Sequence, residues 1–395
     1  MDAHSNIVPR ADKVDMTGQT ILQVIPALEA GGAERGCIDV AAAVVEAGGR
    51  AIVVSDGGRM ERQLIRAGGE AVHLPVGAKN PLVMWRTIRQ LKKLMVAENV
   101  SLIHARSRAP AWVAWRAAQE TQTPFVTTWH GLHDANGKLK ERYNGSLAKG
   151  DRVIAISEFI EERLTRIYGV GPDRLRMIHR GIDTQIFNPD AVPAARMMNV
   201  IGDWNLPDGV PVILLPGRLT RWKGQRQAIE AAAIVRDKLG EGRFILVMVG
   251  DDQGRTEYRA ELEKLIKKNN LEGWVRLRGH VSDMPAAYKI ADVVLCASEK
   301  AEAFGRVPVE GQAMGALVVA TDHGGARETV VANETGFLVK PNDINAMAEG
   351  LIKALTLPEE ERQRRAHQAS DRVRDLYSVE TMCLKTLNVY KELLD

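Results

Sequence analysis

Cysteine is scarce, with Cys37, Cys296 and Cys383 the only three in 395 residues. No two stand at the spacing of a zinc site or a redox pair, which excludes a disulfide framework and a structural zinc. A reducing cytosol suits such a sequence. Long apolar runs are also missing. Those present, such as residues 244–249, have strand length and fall far short of the ~20 residues a membrane span needs. Any membrane contact would be peripheral. Nor does charge of one sign dominate: 53 Lys and Arg oppose 50 Asp and Glu, a formal +3 that does not suit a dedicated nucleic-acid binder. No Gly-x-Gly-x-x-Gly follows a candidate strand and no Walker segment occurs, so a nicotinamide-dependent dehydrogenase and a P-loop enzyme are disfavoured.

What is present is an ordinary globular composition, 45% hydrophobic and 26% charged, on a chain of 395 residues. That length exceeds the ~250–300 residues at which single cores stop growing, so two domains are expected. Short apolar runs at 21–25, 51–54, 102–104, 125–128, 153–156 and 177–179 alternate with helix-compatible segments. A second series occupies 212–215, 244–249, 275–277, 293–296 and 317–320. Runs apolar throughout suit strands covered on both faces of a parallel sheet. The fold class is therefore α/β, with two Rossmann-like doubly wound parallel-sheet domains whose strand ends face a central cleft. We expect a polar leader at 1–16, an amino-terminal domain at 17–190 and a linker at 191–209, where Pro193 and Pro207 interrupt periodicity. A second domain at 210–378 and a terminal helix at 379–395 complete the chain.

Ligands of such sheets sit beyond the carboxyl ends of the strands, so those positions carry the functional reading. After the run ending near Leu215 comes Gly217-Arg218-Leu219-Thr220-Arg221-Trp222-Lys223-Gly224. Arg clamps phosphate oxygens at two points, Lys adds a compact charge, and glycine lets backbone approach closely. A basic surface turn with a helix cap is the competing reading. Farther on, Ser298 to Gly311 contains Glu302, Phe304, Gly305, Pro308 and Glu310. Pro308 suits a first helical turn, whose free amides favour a diphosphate, and a carboxylate beside it can accept hydrogen bonds from paired ribose hydroxyls. Glu302 and Glu310 taken alone are equally readable as solvated charges.

The ordered set of these elements resembles the retaining GT-B glycosyltransferases of family 4, over nearly the whole chain. It comprises Gly31-Gly32-Ala33-Glu34-Arg35, Trp129-His130-Gly131, Ala155-Ile156-Ser157, Arg180-Gly181-Ile182-Asp183, the loop from Arg218 to Gly224, and Glu302 with Glu310. The resemblance implies that Arg218 and Lys223 bind the donor diphosphate and stabilise it as it leaves, and that Glu310 grips the ribose. It further implies phosphate contacts from Phe304 and Gly305, sugar contacts from Glu302, a place for His130 near the reaction centre, and donor contact from Gly31 and Gly32. Retention of anomeric configuration by front-face attack is implied with it.

Preorganised positive charge on the departing oxygen is what such a reaction needs, and Arg218 and Lys223 supply it. Because no Asp-x-Asp is present, no metal and no other cofactor is expected. The partners implied are a UDP- or GDP-linked sugar and a saccharide or lipid-linked saccharide acceptor, as in lipopolysaccharide or surface glycan biosynthesis. Residues 1–200 carry 26 basic and 21 acidic groups, the remainder 27 and 29. Within the basic half, Trp85, Ile88, Leu91 and Met95 recur at helical spacing among Arg86, Arg89, Lys92 and Lys93. This pattern fits either a core-facing domain helix or a helix lying on an anionic membrane surface, at the inner face of the cytoplasmic membrane. A GT-B nucleotide-sugar epimerase and a noncatalytic nucleotide-sugar-binding protein stand as alternatives, and no nucleic-acid partner is expected.

Overall fold

The computed structural model describes residues 14–29, 31–132, 137–240 and 242–395, so most of the expected polar leader lies outside the described residues. The chain forms two compact units. One takes the chain up to Ile156 together with Ile160–Ile178 and Met382–Asp395; the other takes Ser157–Phe159 and His179–Thr381.

The first unit is built on seven strands: β1 (Thr20–Val24), β2 (Arg50–Ser55), β3 (Glu70–His73), β4 (Leu102–Ala105), β5 (Phe125–Trp129), β6 (Arg152–Ala155) and β7 (Leu175–Met177). They pair in parallel in the order β3-β2-β1-β4-β5-β6-β7. The second holds six: β8 (Val212–Pro216), β9 (Ile245–Val249), β10 (Val275–Arg278), β11 (Val293–Cys296), β12 (Leu317–Thr321) and β13 (Gly336–Val339). Their order is β10-β9-β8-β11-β12-β13, again parallel. Every residue of β1, β5, β8, β9 and β12 is buried. Helices on both faces account for this, and alternation is absent because neither face meets water. The winding reverses between β1 and β4 in the first sheet and between β8 and β11 in the second, the positions where doubly wound sheets hold ligands.

Two strands escaped the sequence reading, β3 and β13, and each closes an edge of its sheet. In β3 the sequence Glu-Ala-Val-His is nowhere fully buried, so it lacks the continuous apolar signal of the inner strands. The last run of the first series also shifts, from 177–179 to Leu175–Met177.

The stretch expected as a linker is structured. Ala194–Trp204 is a helix beginning just after Pro193, a residue compatible with a helix start. Met197, Val200 and Trp204 share one face, and Val200 and Trp204 pack with Val212 and Leu214 in the second unit's core. Each such buried side chain stabilises by roughly 1.5–3 kcal/mol. The chain passes into the second unit at His179, ahead of the expected boundary at 190. The terminal helix runs Val379–Leu394, and from Met382 it belongs to the first unit. There Tyr390 Oη meets His104 Nδ1 at 2.6 Å, and Glu392 accepts from Arg152 Nε at 2.8 Å and Arg176 Nη2 at 2.6 Å.

The basic amphipathic pattern lies on helix Pro81–Ala97. Leu91 and Met95 are buried, while Trp85 is 55% exposed. Its outer face carries Leu82, Trp85, Arg86, Arg89, Lys93 and Val96, with the Arg89 guanidinium 4.8 Å from the Trp85 ring centroid. Asn80 caps the helix by accepting from the Leu82 amide at 2.9 Å.

Candidate active site

On the second unit, the residues after β8 turn back toward the end of β11. Arg221–Lys223 forms a single turn of 3-10 helix, followed by Gly224 at φ +75°. A Cβ on Gly224 would lie 1.9 Å from the Ala297 carbonyl oxygen, so only glycine fits where this backbone rests on the residue after β11. The Glu299 amide donates to the Trp222 carbonyl at 2.7 Å, and Gln225 Nε2 donates to the Arg218 carbonyl at 3.0 Å. Two loops far apart in sequence are thereby locked together.

The lock brings Lys223 to Glu302. Lys223 Nζ donates to Glu302 Oε1 at 2.7 Å, and Ser298 Oγ donates to the same oxygen at 2.5 Å. The ion pair is only partly screened, its side chains being 14% and 23% exposed. Ser298 is itself fixed, because its carbonyl accepts from His323 Nε2 at 2.8 Å and from Thr321 Oγ1 at 2.9 Å. A carbonyl can only accept, so the His323 proton resides on Nε2. Arg218 presents an exposed side chain from the same loop. Behind Glu302 lie Gly324 and Gly325: a Cβ on either would fall 2.4 Å from the Glu302 carbonyl oxygen or 2.2 Å from that of Phe304.

Gly305, at φ +84°, starts the helix Arg306–Ala313 with no side-chain cap. Without such a cap, the first-turn amides of that helix have no side-chain acceptor, an arrangement that favours negative charge. Phe304 is buried, 5.7 Å from the Tyr377 ring centroid. Glu310 stands on the first turns of the helix, 12% exposed, with Arg306 Nη2 2.8 Å from Oε1. Tyr288 Oη donates to Glu310 Oε2 at 2.8 Å. Burial, and then the charge of Glu310, hold the Tyr288 phenol well above its ordinary pKa, so it stays a donor. The Cys296 thiol is likewise held well above its ordinary value by burial and by Glu302. That disfavours the thiolate.

The remaining sequence candidates lie on the first unit. Gly31 precedes the helix Gly32–Glu46, and Glu34 folds back over that helix start, its Oε2 2.5 Å from where a Gly31 Cβ would be. His130 directly follows β5 and acts electrostatically on His104, which is fully buried between Tyr390 and Thr128. Trp129 is a core residue against Tyr168, ring centroids 4.8 Å apart.

Both halves of the chain have counterparts in known proteins. A family model described as "Glycosyl transferases group 1" matches residues 199–372, and one described as "Glycosyltransferase Family 4" matches 30–186. A solved glycosyltransferase from Rickettsia africae ESF-5 is 34% identical, covering 95% of this chain and 99% of its own, with a TM-score of 0.88. The chain belongs to the GT-B glycosyltransferases. A D-inositol 3-phosphate glycosyltransferase of Xylanimonas cellulosilytica is 30% identical over 275 residues, 63% of this chain and 62% of that protein. The chain thus spans about six tenths of the length of the curated relatives it matches. Anabaena Alr3699/HepE, solved in complex with UDP, shares the fold at 22% identity and a TM-score of 0.82, covering 95% of this chain and 100% of its own.

In this GT-B glycosyltransferase the structure brings Lys223 and Glu302 into contact and sets Glu310 on the helix that Gly305 begins. It also adds Ser298, Tyr288 and Arg306, which the sequence reading left without roles. Arg306 had a signal, standing four residues before Glu310 on one helix face. Tyr288 had none, since its contact with Glu310 crosses 22 residues.

Proposed function

We propose that this protein is a retaining hexosyltransferase that moves a sugar from a nucleoside diphosphate to a saccharide or lipid-linked saccharide in surface glycan or lipopolysaccharide biosynthesis. The observation that carries the donor assignment is the Lys223–Glu302 pair beside the uncapped helix start at Gly305. The diphosphate takes the amides of that helix and the charges of Lys223 and Arg218. Its arrival draws Lys223 away from Glu302, which frees the carboxylate to hold sugar hydroxyls. As the anomeric carbon becomes cationic, Arg218 and Lys223 stabilise the leaving oxygen without reorganising, which is where electrostatic catalysis is strongest. Glu310, held by Tyr288 and Arg306, accepts from the ribose. On the first unit, His130, Gly31 and Gly32 are the residues we assign to the reaction. Backbone amides and cations do the work a divalent metal would otherwise do.

The UDP complex of the Anabaena neighbour supports UDP as the first nucleotide to test. The outer face of helix Pro81–Ala97, with Leu82 72% and Val96 68% exposed among arginine and lysine, supports contact with an anionic membrane. Among the described residues, no helix is long and apolar enough to cross one. Titration with UDP, GDP and ADP should give binding to one of the first two that falls in Lys223→Ala. Donor turnover that needs no acceptor and releases free monosaccharide would replace transfer with hydrolysis. Co-sedimentation of wild type with phosphatidylglycerol vesicles, reduced in Arg86→Glu/Arg89→Glu, checks the membrane arm.

A further inference from the structure

The first unit encloses a guanidinium that the donor chemistry does not use. Arg106 directly follows β4 and is 5% exposed. Its Nε donates to Gln23 Oε1 at 2.7 Å, and Gln23 Nε2 donates onward to the Cys37 carbonyl at 2.9 Å. Its Nη2 is buried with no hydrogen-bond partner. No carboxylate of the described residues forms an ion pair with Arg106. The Tyr390 hydroxyl, 2.6 Å from His104 Nδ1, also faces the cation and offers it a neutral acceptor oxygen, not a charge. Burial, and then Arg106, push the His104 pKa well below its ordinary value, which disfavours a second cation beside Arg106.

A permanent cation in such surroundings is costly unless an anion or a full set of acceptors offsets it. Gln23 and Tyr390 supply neutral acceptors and no anion. The Nη1 end looks onto Gly36, where a Cβ would meet nothing nearer than 4.0 Å, Nη1 itself being one of the two atoms at that distance. A missing side chain leaves room there. The place is also where the winding of the first sheet reverses, since β1 and β4 are neighbours and Gln23 and Arg106 lie toward their carboxyl ends.

We infer that Arg106 binds the anionic group, a phosphate or a carboxylate, of the acceptor sugar. The inference rests on the reading of this protein as a transferase that takes a saccharide acceptor. Two nitrogens of one guanidinium can hold two oxygens of either group, so charged acceptors are selected over neutral ones of the same shape.

Isothermal titration of the full chain with glucose 6-phosphate, glucuronate, glucose and inorganic phosphate tests this. Both sugar anions should bind wild type, glucose roughly tenfold or more weakly, and Arg106→Gln should erase the difference while Arg106→Lys keeps part of it. Failure of both sugar anions to bind wild type, equal binding of glucose, or unchanged binding in folded Arg106→Gln overturns the site. Inorganic phosphate binding as tightly as glucose 6-phosphate overturns the acceptor assignment. Should Arg106→Gln fail to fold, Gly36→Leu decides, because its Cβ meets Nη1 and Met382 Cε only at an ordinary contact distance of 4.0 Å while its apolar side chain covers Nη1. Unchanged sugar-anion binding in that variant overturns the proposal. UDP titrated into the same variants should bind as in wild type. A wild type that takes the sugar anions but no UDP defeats the donor reading alone.

Discussion

Lys223 Nζ and Ser298 Oγ converge on one oxygen, Oε1 of Glu302, at 2.7 and 2.5 Å. The cation assigned to the leaving diphosphate is therefore held by a carboxylate before any donor arrives, and that carboxylate is oriented by a buried hydroxyl.

Lys223→Ala and Arg218→Ala should each lower kcat strongly while leaving the fold intact. By analogy with lost oxyanion donors, each costs ~2.7–4 kcal/mol of transition-state stabilisation, about 10²–10³ in rate. In the thermal stability of the donor-free protein, the Lys223→Ala and Glu302→Gln effects should be non-additive, since both delete the same ion pair. Near-normal turnover in the two folded cation variants removes the leaving-group site.

Glu310→Gln should weaken donor binding more than stability, because the amide keeps the size but loses the charge that strengthens bonds to ribose hydroxyls. Calorimetry with UDP and 2′-deoxy-UDP on both proteins checks this. The expected losses overlap; fully additive losses place the ribose elsewhere.

Activity should survive exhaustive EDTA treatment, as Arg218, Lys223 and the helix start at Gly305 neutralise the diphosphate. Transfer that is lost on chelation and returns with magnesium or manganese would falsify the metal-free assignment.

Acid should destabilise the first unit through His104. Its folded pKa lies well below 6.5, the ordinary value, owing to burial. As pH falls through that ordinary value the unfolded chain takes up a proton that the folded chain refuses. The stability present above it then declines by up to ~1.4 kcal/mol per pH unit until the folded pKa is reached. Urea midpoints between about pH 5 and 8 should slope less in His104→Gln than in wild type. Equal slopes assign the acid sensitivity to other groups.

Gly224→Ala should destabilise the second unit and abolish donor binding, because alanine is strained at φ +75° and its Cβ would fall 1.9 Å from the Ala297 carbonyl oxygen. Thermal unfolding and UDP titration of the variant measure both effects. A variant with wild-type stability would show that the loop relaxes freely.

Much of this protein was legible in one dimension. The inner strands are buried on both faces, so their apolar runs stood out, and the basic loop and two glutamates fell in the order expected of the family. The edge strand Glu70–His73 did not stand out because half of it meets water. The helix Ala194–Trp204 was hidden by the prolines around it, although Met197, Val200 and Trp204 carry its period.

Sequence alone determined the class of fold, the alternation of strand and helix, and which residue types could meet a diphosphate, because burial and helical period are local properties of the chain. Only the tertiary structure decided that Ser298 orients Glu302, that Tyr288 and Arg306 hold Glu310, and that the last helix returns to cover His104 through Tyr390. The lack, among the described residues, of a carboxylate paired to Arg106 belongs with these. Such contacts join residues up to 286 positions apart, as in His104 and Tyr390. They depend on where the folded chain brings each side chain and on which partners burial leaves it, and no spacing along the sequence records either.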